Sequence, residues 1–576
     1  MSMRLASPNE RRTISREDLG FYNAVVIAAI YNIPDARDLT SAQSFLAPLR
    51  QCILEQPYLS VIVKDKHTDK ASYEKVSSID LNNHISIIHD QTSRETETKS
   101  LEKTLLPILD RPWPADIPPW RIVILPLAAT STEHDPKTKR CFIAFSFSHT
   151  LGDGLSGLIF HRAFLNAWNN IPTPEEQELS NSFLVSPSAH PLPQPFDTPE
   201  RLPISWKFLL GPLLAACMPK FINDMFGLRA SSSPRDAGTW TGAPMFFDPS
   251  CKNSSRLRLL EIEAPLVQNA LRVSRANETK LTGTIHQMIV RALGRAIQDP
   301  QVTNFVSGTA VNMRASIGAE EGNWGLYVSG DYAVHPRPRI VTQSMREAEK
   351  LDSTTPRSSS TLPEEAWTSA REITKSLSEA SVRLTDQAIG LLRYAPSIRS
   401  WTAKHVGGER DCSYRVSNLL AFDGEPEPEP NVDNNESGSE SKSKIRISKV
   451  VFATPADVTG SPLAFDIVSL RGGSLVCAVG WQVGALGLGV PGEEEEEGAD
   501  VERLQQRVQD LEQQLEGARN VGSIKIGDSS MQSERRRGWD GIHTRTAHSS
   551  QAQWYGPSSS FYFIGRMNAY LSAALE

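Results

Sequence analysis

One stretch constrains this chain more than any other: Arg140–Phe164, RCFIAFSFSHTLGDGLSGLIFHRAF. An alternating apolar run ends at His149, a short glycine-flanked segment follows, and helical spacing begins at once. Along the run, Cys141, Ile143, Phe145 and Phe147 share one face of a strand, while Ala144, Ser146 and Ser148 share the other. The helix is expected to begin near Leu155 or Ser156, with Leu158, Ile159, Ala163 and Leu165 largely inward. Between strand and helix lies a tight turn, in which Gly152 and Gly154 give backbone freedom on either side of Asp153.

Such a turn suits chemistry. A histidine at a strand end can be held with one ring nitrogen facing a channel, and its ordinary pKa of about 6.5 suits proton transfer near neutrality. Asp153, four residues on, can pair with a cation or with the turn backbone and lock the geometry without reaching a substrate. A His followed by Asp at this spacing also arises by chance, so the flanking strand, glycine and helix are what separate His149 and Asp153 from coincidence.

The bulk numbers exclude several classes. At 576 residues the chain is too long for one ordinary core, so two domains with additional segments are expected. With 60 basic against 67 acidic residues and a net charge of -7, there is no electrostatic case for a nucleic-acid partner. Cys52, Cys141, Cys217, Cys251, Cys412 and Cys477 are scattered, which argues against a disulfide framework and against a zinc site. No metal is expected. No secretory signal is visible in MSMRLASPNERRTISRED, and a cytoplasmic protein is the default. The most membrane-like stretch, Trp206–Gly227, is broken by Gly211, Pro212 and Pro219, well short of the roughly 20 apolar residues a spanning helix needs. It reads as a surface helix between lobes, or alternatively as a segment in peripheral contact with endoplasmic reticulum or a lipid droplet.

Along the chain, REDLGFYNAVVIAAIYNI opens the fold and AQSFLAPLRQCILEQPYLSVIVKD reads as a helix feeding a strand. Trp120–Ala129 and Arg140–His149 form the arms of a hairpin. Pro-rich sequence over 186–203 begins a crossover, and regular structure resumes near Arg256. A helix over Leu281–Ile297 and a strand over Thr303–Arg314 follow. Residues 424–443 read as a disordered loop, and RISKVVFATP with GSPLAFDIVSLRGGSLVCAVGWQ as hairpin-forming strands ending near Trp481. The expected division is an N-terminal lobe over 1–190, a crossover over 191–255 and a C-terminal lobe over 256–485. An acidic run, a helix over 499–517 and a patternless tail occupy 486–576, and residues 518–576 also read as an incorrectly predicted gene end.

HTLGDG resembles the HxxxDG signature of the CoA-dependent acyltransferase superfamily, which includes chloramphenicol acetyltransferase. LGFYNAVVIAAIYN, PPWRIVILPL, FSHTLGDGLSG, VNMRASIG, NWGLYVS, YRVSNLLAF and GSPLAFDIVS resemble, in that order, the fungal alcohol O-acetyltransferase and N-acetyltransferase family over roughly residues 15 to 485. The resemblance implies an α/β (α+β) fold of two chloramphenicol-acetyltransferase-like lobes, each with a mixed sheet, and a tunnel between them. It implies acetyl-CoA as co-substrate, a small alcohol or amine as acceptor, and His149 as the base, with Gly154 completing the motif. Arg314 resembles the arginine that pairs with the motif aspartate in related enzymes, and is otherwise a solvated strand-end charge. Ser417 and Asn418 resemble a strand bordering the site, where they are either structural or donors to an oxyanion. The DFGWG motif of the plant branch is absent, GNWGLYVSG being a loose echo of it, so the CoA-contacting residues stay unassigned.

His161, His134 and His286 read as a packed or surface histidine, a loop histidine and a second-lobe helix residue. No Walker A loop, GxSxG elbow or HExxH motif occurs. The leading expectation is a monomeric acetyl-CoA-dependent O- or N-acetyltransferase. Its rivals are a condensation-like acyltransferase of secondary metabolism with a longer acyl donor, and a non-catalytic binding protein of the same fold.

Overall fold

The run Val25–Ile33 carries no charged residue, so as a strand it needs a neighbour on each edge and cover on both faces. The computed structural model, which describes residues 3–34, 37–88, 96–128, 138–170, 182–218, 231–250, 254–297, 299–320, 322–338, 362–427 and 444–487, supplies both.

A five-stranded sheet has the order β14–β2–β8–β7–β6, formed by β2 (Val25–Ile33), β6 (Ile85–Ile87), β7 (Trp120–Leu127), β8 (Lys139–Phe147) and β14 (Arg446–Ala453). Only β6 and β7 are parallel in it. The expected hairpin is β7 with β8, in register from Trp120 opposite Phe147 to Leu127 opposite Arg140. A six-stranded sheet has the order β10–β16–β15–β13–β11–β12. Its strands are β10 (Ser255–Ile262), β11 (Asn304–Asn312), β12 (Val328–Pro336), β13 (Tyr414–Phe422), β15 (Leu463–Leu470) and β16 (Leu475–Gln482). Parallel pairing of β13 with both β11 and β15 makes this sheet mixed as well. β1 (Met3–Leu5), β4 (Ser72–Lys75) and β3 (Val61–Lys64) form a small third sheet, and β5 (Ile79–Asp80) pairs with β9 (Leu184–Val185). The α/β expectation with a mixed sheet in each half therefore describes the fold. One strand departs from the expected order. β14, expected beside the β15–β16 hairpin, pairs instead with β2, where its Val450 and Phe452 join the N-terminal core.

The described helices are α1 (Pro8–Asp18), α2 (Gln43–Glu55), α3 (Glu97–Leu109), α4 (Gly154–Asn169), α5 (Trp206–Cys217), α6 (Ala264–Ala276), α7 (Leu281–Ala296), α8 (Glu364–Val382) and α9 (Ile398–Ala403). One face of the first sheet buries Val25, Ile27, Cys141, Ile143, Phe145 and Phe147 together with residues of α2 and α4. The other buries Val26, Ala28, Phe142 and Ala144 beneath α3 and beside Leu257 and Leu259 of β10. β8 lies between β2 and β7, so the strand that delivers His149 is held along both edges.

α4 begins at Gly154, earlier than expected, because Asp153 caps it through Ser156. Its inward face is broader than the spacing suggested: besides Leu158 and Leu165 it buries Phe160, His161, Phe164 and Trp168, while Ile159 and Ala163 are only partly covered. Gly157 sets how closely this helix lies on β2. A Cβ there would stand 2.2 Å from Ile27 Cγ1 and 2.8 Å from Ile27 Cβ. The Cβ of a β-branched residue cannot rotate away. Gly157→Ala therefore overpacks the contact at a cost of about 1–3 kcal/mol, outweighing the helix-propensity gain of up to about 1 kcal/mol. A thermal melt several degrees below wild type is the expected result; an unchanged or raised melting point would show that α4 can lift off the sheet without penalty.

On α5, Trp206, Leu210 and Leu213 are exposed while Leu209 and Ala215 are buried, and among the described residues no helix is long and apolar enough to cross a membrane. Cys52, Cys141, Cys412 and Cys477 are buried free thiols. The expected acidic run, the helix over 499–517, the tail, most of the 424–443 loop, His134 and Cys251 lie outside the described residues, as does the side chain of Cys217.

Several histidines are interior. His84 Nδ1 bonds the Trp120 carbonyl (2.8 Å), and His161 lies between the Tyr31 hydroxyl (2.8 Å) and the Ile27 carbonyl (2.9 Å). His286 contacts Tyr414 and Thr309, and His335 contacts Ser307. Burial lowers His84, His161 and His335 to about 4 and holds His286 well below its ordinary value. The unfolded chain takes up these protons near pH 6.5 and the folded chain only near 4, so their contribution is complete above 6.5 and is lost as pH falls through that window. At pH 5 His84, His161 and His335 each cost on the order of 2 kcal/mol, a large joint effect beside a total stability of roughly 5–15 kcal/mol. Glu102, Asp110, Asp331 and Asp466, raised by burial, work the other way. Urea midpoints are expected to drop sharply between pH 7.5 and 5; equal midpoints would mean that the interior histidines are already charged in the fold.

Candidate active site

The turn after β8 is bonded at nearly every residue. Ser148 N–H donates to the Pro119 carbonyl (2.8 Å) and Leu151 N–H to the Ser148 carbonyl (2.9 Å). The Tyr73 hydroxyl donates to the Thr150 carbonyl and Trp324 Nε1 to the Leu151 carbonyl, each at 2.7 Å. Within this frame half-buried His149 has Nδ1 2.8 Å from the Gly152 carbonyl. A carbonyl only accepts, so Nδ1 carries the proton and Nε2 keeps a free lone pair. Burial first, then the charges of Arg12 and Arg16, bring His149 down to about 4, well below the value expected from its residue type alone. The imidazole is therefore neutral throughout the physiological range.

Asp153 and Arg314 meet across 161 residues of chain. Arg314 Nη1 donates to Asp153 Oδ2 and Nη2 to Oδ1, both at 2.9 Å, and each side chain is only 1% exposed. The planar guanidinium fork matches the carboxylate, as a lysine would not. Asp153 also accepts from Tyr327 N–H (3.0 Å) and from Ser156 N–H (3.1 Å), the cap of α4. Both carboxylate oxygens are thus occupied by the protein. Arg314 is fixed in turn through Nε to the Asn323 carbonyl (3.0 Å) and Nη1 to Asn312 (3.3 Å), and its guanidinium lies 4.7 Å from the Tyr327 ring centre.

The segment Trp324–Tyr327, left without a role by the sequence, is the other half of this brace. Besides the Trp324 and Tyr327 bonds, the Gly325 carbonyl accepts from Asp153 N–H (3.1 Å) and from Ser156 Oγ (3.1 Å). Gly325 has φ +153°, which a side chain would strain.

Gly154 brings β13 against the turn: a Cβ on it would stand 2.8 Å from Leu419 Cδ2. Leu419 and Arg415 share a face of β13, and Ser417 stands between them on that face. The Ser417 hydroxyl makes no hydrogen bond among the described residues. Asn418 is on the opposite face with Tyr414, its Nδ2 bonded to Thr282 of α7 (3.0 Å) and its Oδ1 to Leu420 N–H (2.9 Å) at a bulge where Leu420 has φ +64°. The structure thus separates the expected pair onto opposite faces of β13, Ser417 on the face of Arg415 and Asn418 engaged in the strand's own geometry.

Residues without an expected role complete the surroundings. The Tyr22 ring centre is 5.6 Å from that of His149, and the guanidinium of Arg16 lies 4.5 Å from the Tyr22 centroid. Arg16 forms an ion pair with Asp457, and Arg415 bonds Thr454 (2.6 Å) and lies 3.7 Å from Asp466. Tyr22 and Arg415 belong to quoted family motifs, which was their only signal in the sequence; Arg12 and Arg16 belong to none. Among the described residues, no three His, Cys, Asp or Glu side chains gather as a metal-ligating group.

No protein-family model matches the chain. Three curated relatives do, two of which are named for an activity. It is 22% identical over 540 residues to the probable alcohol acetyltransferase FCK4 of Fusarium pseudograminearum, covering 92% of this chain and 97% of the relative. It is 22% identical over 489 residues to the probable alcohol acetyltransferase crmB of Aspergillus fumigatus, covering 81% and 92%. Among solved structures, the TRI3 trichothecene 15-O-acetyltransferase of Fusarium sporotrichioides superposes with a TM-score of 0.53 at 14% identity, over 86% of this chain and 92% of the other. The last likeness is one of fold. The FCK4 alignment extends the resemblance read from the motifs to nearly the whole chain.

Proposed function

We propose that this protein is an acyltransferase that moves an acetyl group from acetyl-CoA to the hydroxyl or amine of a small acceptor, with His149 as general base. The observation that carries the reading is the pinned, neutral imidazole: Nδ1–H is held by Gly152, and Nε2 is left with a lone pair at the end of a rigid strand. The relatives named as alcohol acetyltransferases support the reaction class.

Nε2 takes the proton of the acceptor O–H or N–H as that atom attacks the thioester carbonyl carbon. Negative charge develops on the carbonyl oxygen, and the Ser417 hydroxyl is the donor for it, on the Arg415 face of β13. The tetrahedral intermediate collapses with cleavage of the C–S bond. Nε2–H then protonates the departing thiolate, restoring neutral His149 and releasing CoA, so no residue is acylated. Asp153 and Arg314 act on the geometry of the turn and do not touch substrate; they are positioning residues.

Purified protein with acetyl-CoA and a panel of alcohols and amines tests the reading through release of free CoA thiol. Acceptor-dependent release is expected. A panel that gives release only with longer acyl-CoA donors would replace acetyl with a longer acyl group, and no release with any donor while acyl-CoA still binds would support the binding-protein alternative.

A further inference from the structure

We infer that Tyr22 positions the base: its ring, held fast beside the last turn of α1, is the wall against which the imidazole of His149 rests. The inference rests on the acyltransferase reading above and adds a positioning residue to its site.

The fold brings the two rings together. β2 and β8 run antiparallel with Val25 opposite Phe147, so the residues before β2 run alongside those after β8. Tyr22 arrives next to His149, with ring centres 5.6 Å apart and planes tilted by 40°. Among the described residues the imidazole has one hydrogen bond, to the Gly152 carbonyl, and this one aromatic neighbour. The hydrogen bond fixes the edge that carries Nδ1 but leaves the ring able to swing about the line from Nδ1 to the oxygen, taking Nε2 with it. A flat neighbour limits that swing.

Tyr22 is itself immobilised from several directions. Its side chain is buried, with the guanidinium of Arg16 4.5 Å and that of Arg415 5.7 Å from the ring centre. Both cations are anchored, Arg16 by Asp457 and Arg415 by Thr454 (2.6 Å). A rigid ring flanked by two anchored guanidiniums has little freedom of its own. The backbone on either side is pinned as well. Phe21 N–H and Tyr22 N–H both donate to the Arg16 carbonyl (2.8 and 3.3 Å), and the Phe21 ring meets Phe247 edge-on at 5.0 Å. Asn23 Nδ2 donates to the Asp110 carbonyl (2.9 Å), and the Asn23 carbonyl accepts from Trp113 Nε1 (2.6 Å). The same turn of α1 grips the base from its other side in sequence: the Glu17 carboxylate accepts from the hydroxyl of Ser148, the residue before His149, and from Lys66 (2.5 Å). Arg16 through Tyr22 and Glu17 through Ser148 thus register the imidazole against α1. An ångström-sized misplacement of a reacting group costs on the order of 100-fold in rate, which gives this wall its weight.

The test uses Tyr22→Met, which fills much of the space without a rigid plane, and Tyr22→Phe, which keeps the plane. Tyr22→Met is expected to lose about 10- to 100-fold in kcat with the KM for acetyl-CoA little changed, and Tyr22→Phe to recover most of that loss. Each rate is measured well below the variant's melting temperature and divided by the number of acetyl-CoA binding sites, so that an unfolded fraction does not imitate the effect. A second readout needs no turnover: NMR titration of the imidazole, identified by its loss in His149→Ala. Wild type and Tyr22→Phe should titrate at about 4, and Tyr22→Met higher, towards 6.5, as the ring opens to water; Arg12, Arg16 and Asp153, whose charges act on His149, are the same in all three. A wild-type midpoint at 6.5, a kcat in Tyr22→Met equal to that of wild type, or an equal loss in Tyr22→Phe would each overturn the inference and leave the acyltransferase reading standing. A midpoint that depends on the Tyr22 ring in a protein that transfers no acyl group from any donor would preserve the positioning role and overturn the acyltransferase reading.

Discussion

His149→Ala is expected to lower acyl-transfer kcat/KM by about a thousand-fold, within the 10²- to 10⁴-fold range of a positioned general base. The fold should survive, because among the described residues the side chain makes one hydrogen bond, to the Gly152 carbonyl, and the ring is only half-buried. Acetyl-CoA binding should be nearly unchanged, since the lost interaction belongs to the transition state. The pH profile makes the same point differently. A base is active when unprotonated, and with burial, Arg12 and Arg16 holding His149 at about 4, activity should stay flat from pH 8 down to 5.5 and decline only below. A profile falling through pH 6.5 would place the imidazole in water and contradict the site geometry.

Asp153→Asn is expected to cost about 3–5 kcal/mol of stability, the penalty for stranding one member of a buried ion pair. Asparagine caps a helix as well as aspartate does, so the loss reports the bond to Arg314 and not the start of α4. Arg314, 1% exposed, would be left as a charge without its counter-ion. A double-mutant cycle with Arg314→Met separates pairing from truncation: the double variant should be more stable than the sum of the two single losses implies. Additive losses would mean that the pair is decorative. Activity should fall in both single variants even below their melting temperatures, because Trp324–Tyr327 and the turn after His149 are tied together through this carboxylate.

What was legible in the sequence was local. The strand, the turn and the helix around His149 are consecutive, so periodicity and glycine placement describe them, and the β7–β8 hairpin follows from two apolar runs and a polar link. Features formed by distant segments were not. Nothing in RISKVVFATP says that it leaves the β15–β16 hairpin for the edge of β2, because a strand's alternation names its faces and not its neighbours. The docking of Trp324–Tyr327 on the turn joins the Trp324 indole, the Gly325 carbonyl and the Tyr327 N–H to partners some 170 residues earlier, which the motif NWGLYVS does not name. Ser417 and Asn418 look alike in sequence, yet the strand's pleat puts one on the face of Arg415 and the other on the face that meets Thr282. Helical spacing puts Arg12 and Arg16 on one face, but that this face meets Tyr22 and His149 is a fact of packing.

The most direct test of the account follows the acetyl group itself. With acetyl-CoA and an accepted alcohol or amine, mass spectrometry of the quenched reaction should show acetylated acceptor and free CoA appearing together, an enzyme mass that never changes, and almost no product from His149→Ala. An acetylated enzyme that forms early and then passes its acetyl group to the acceptor, or product formed equally by the variant, would contradict direct transfer at His149.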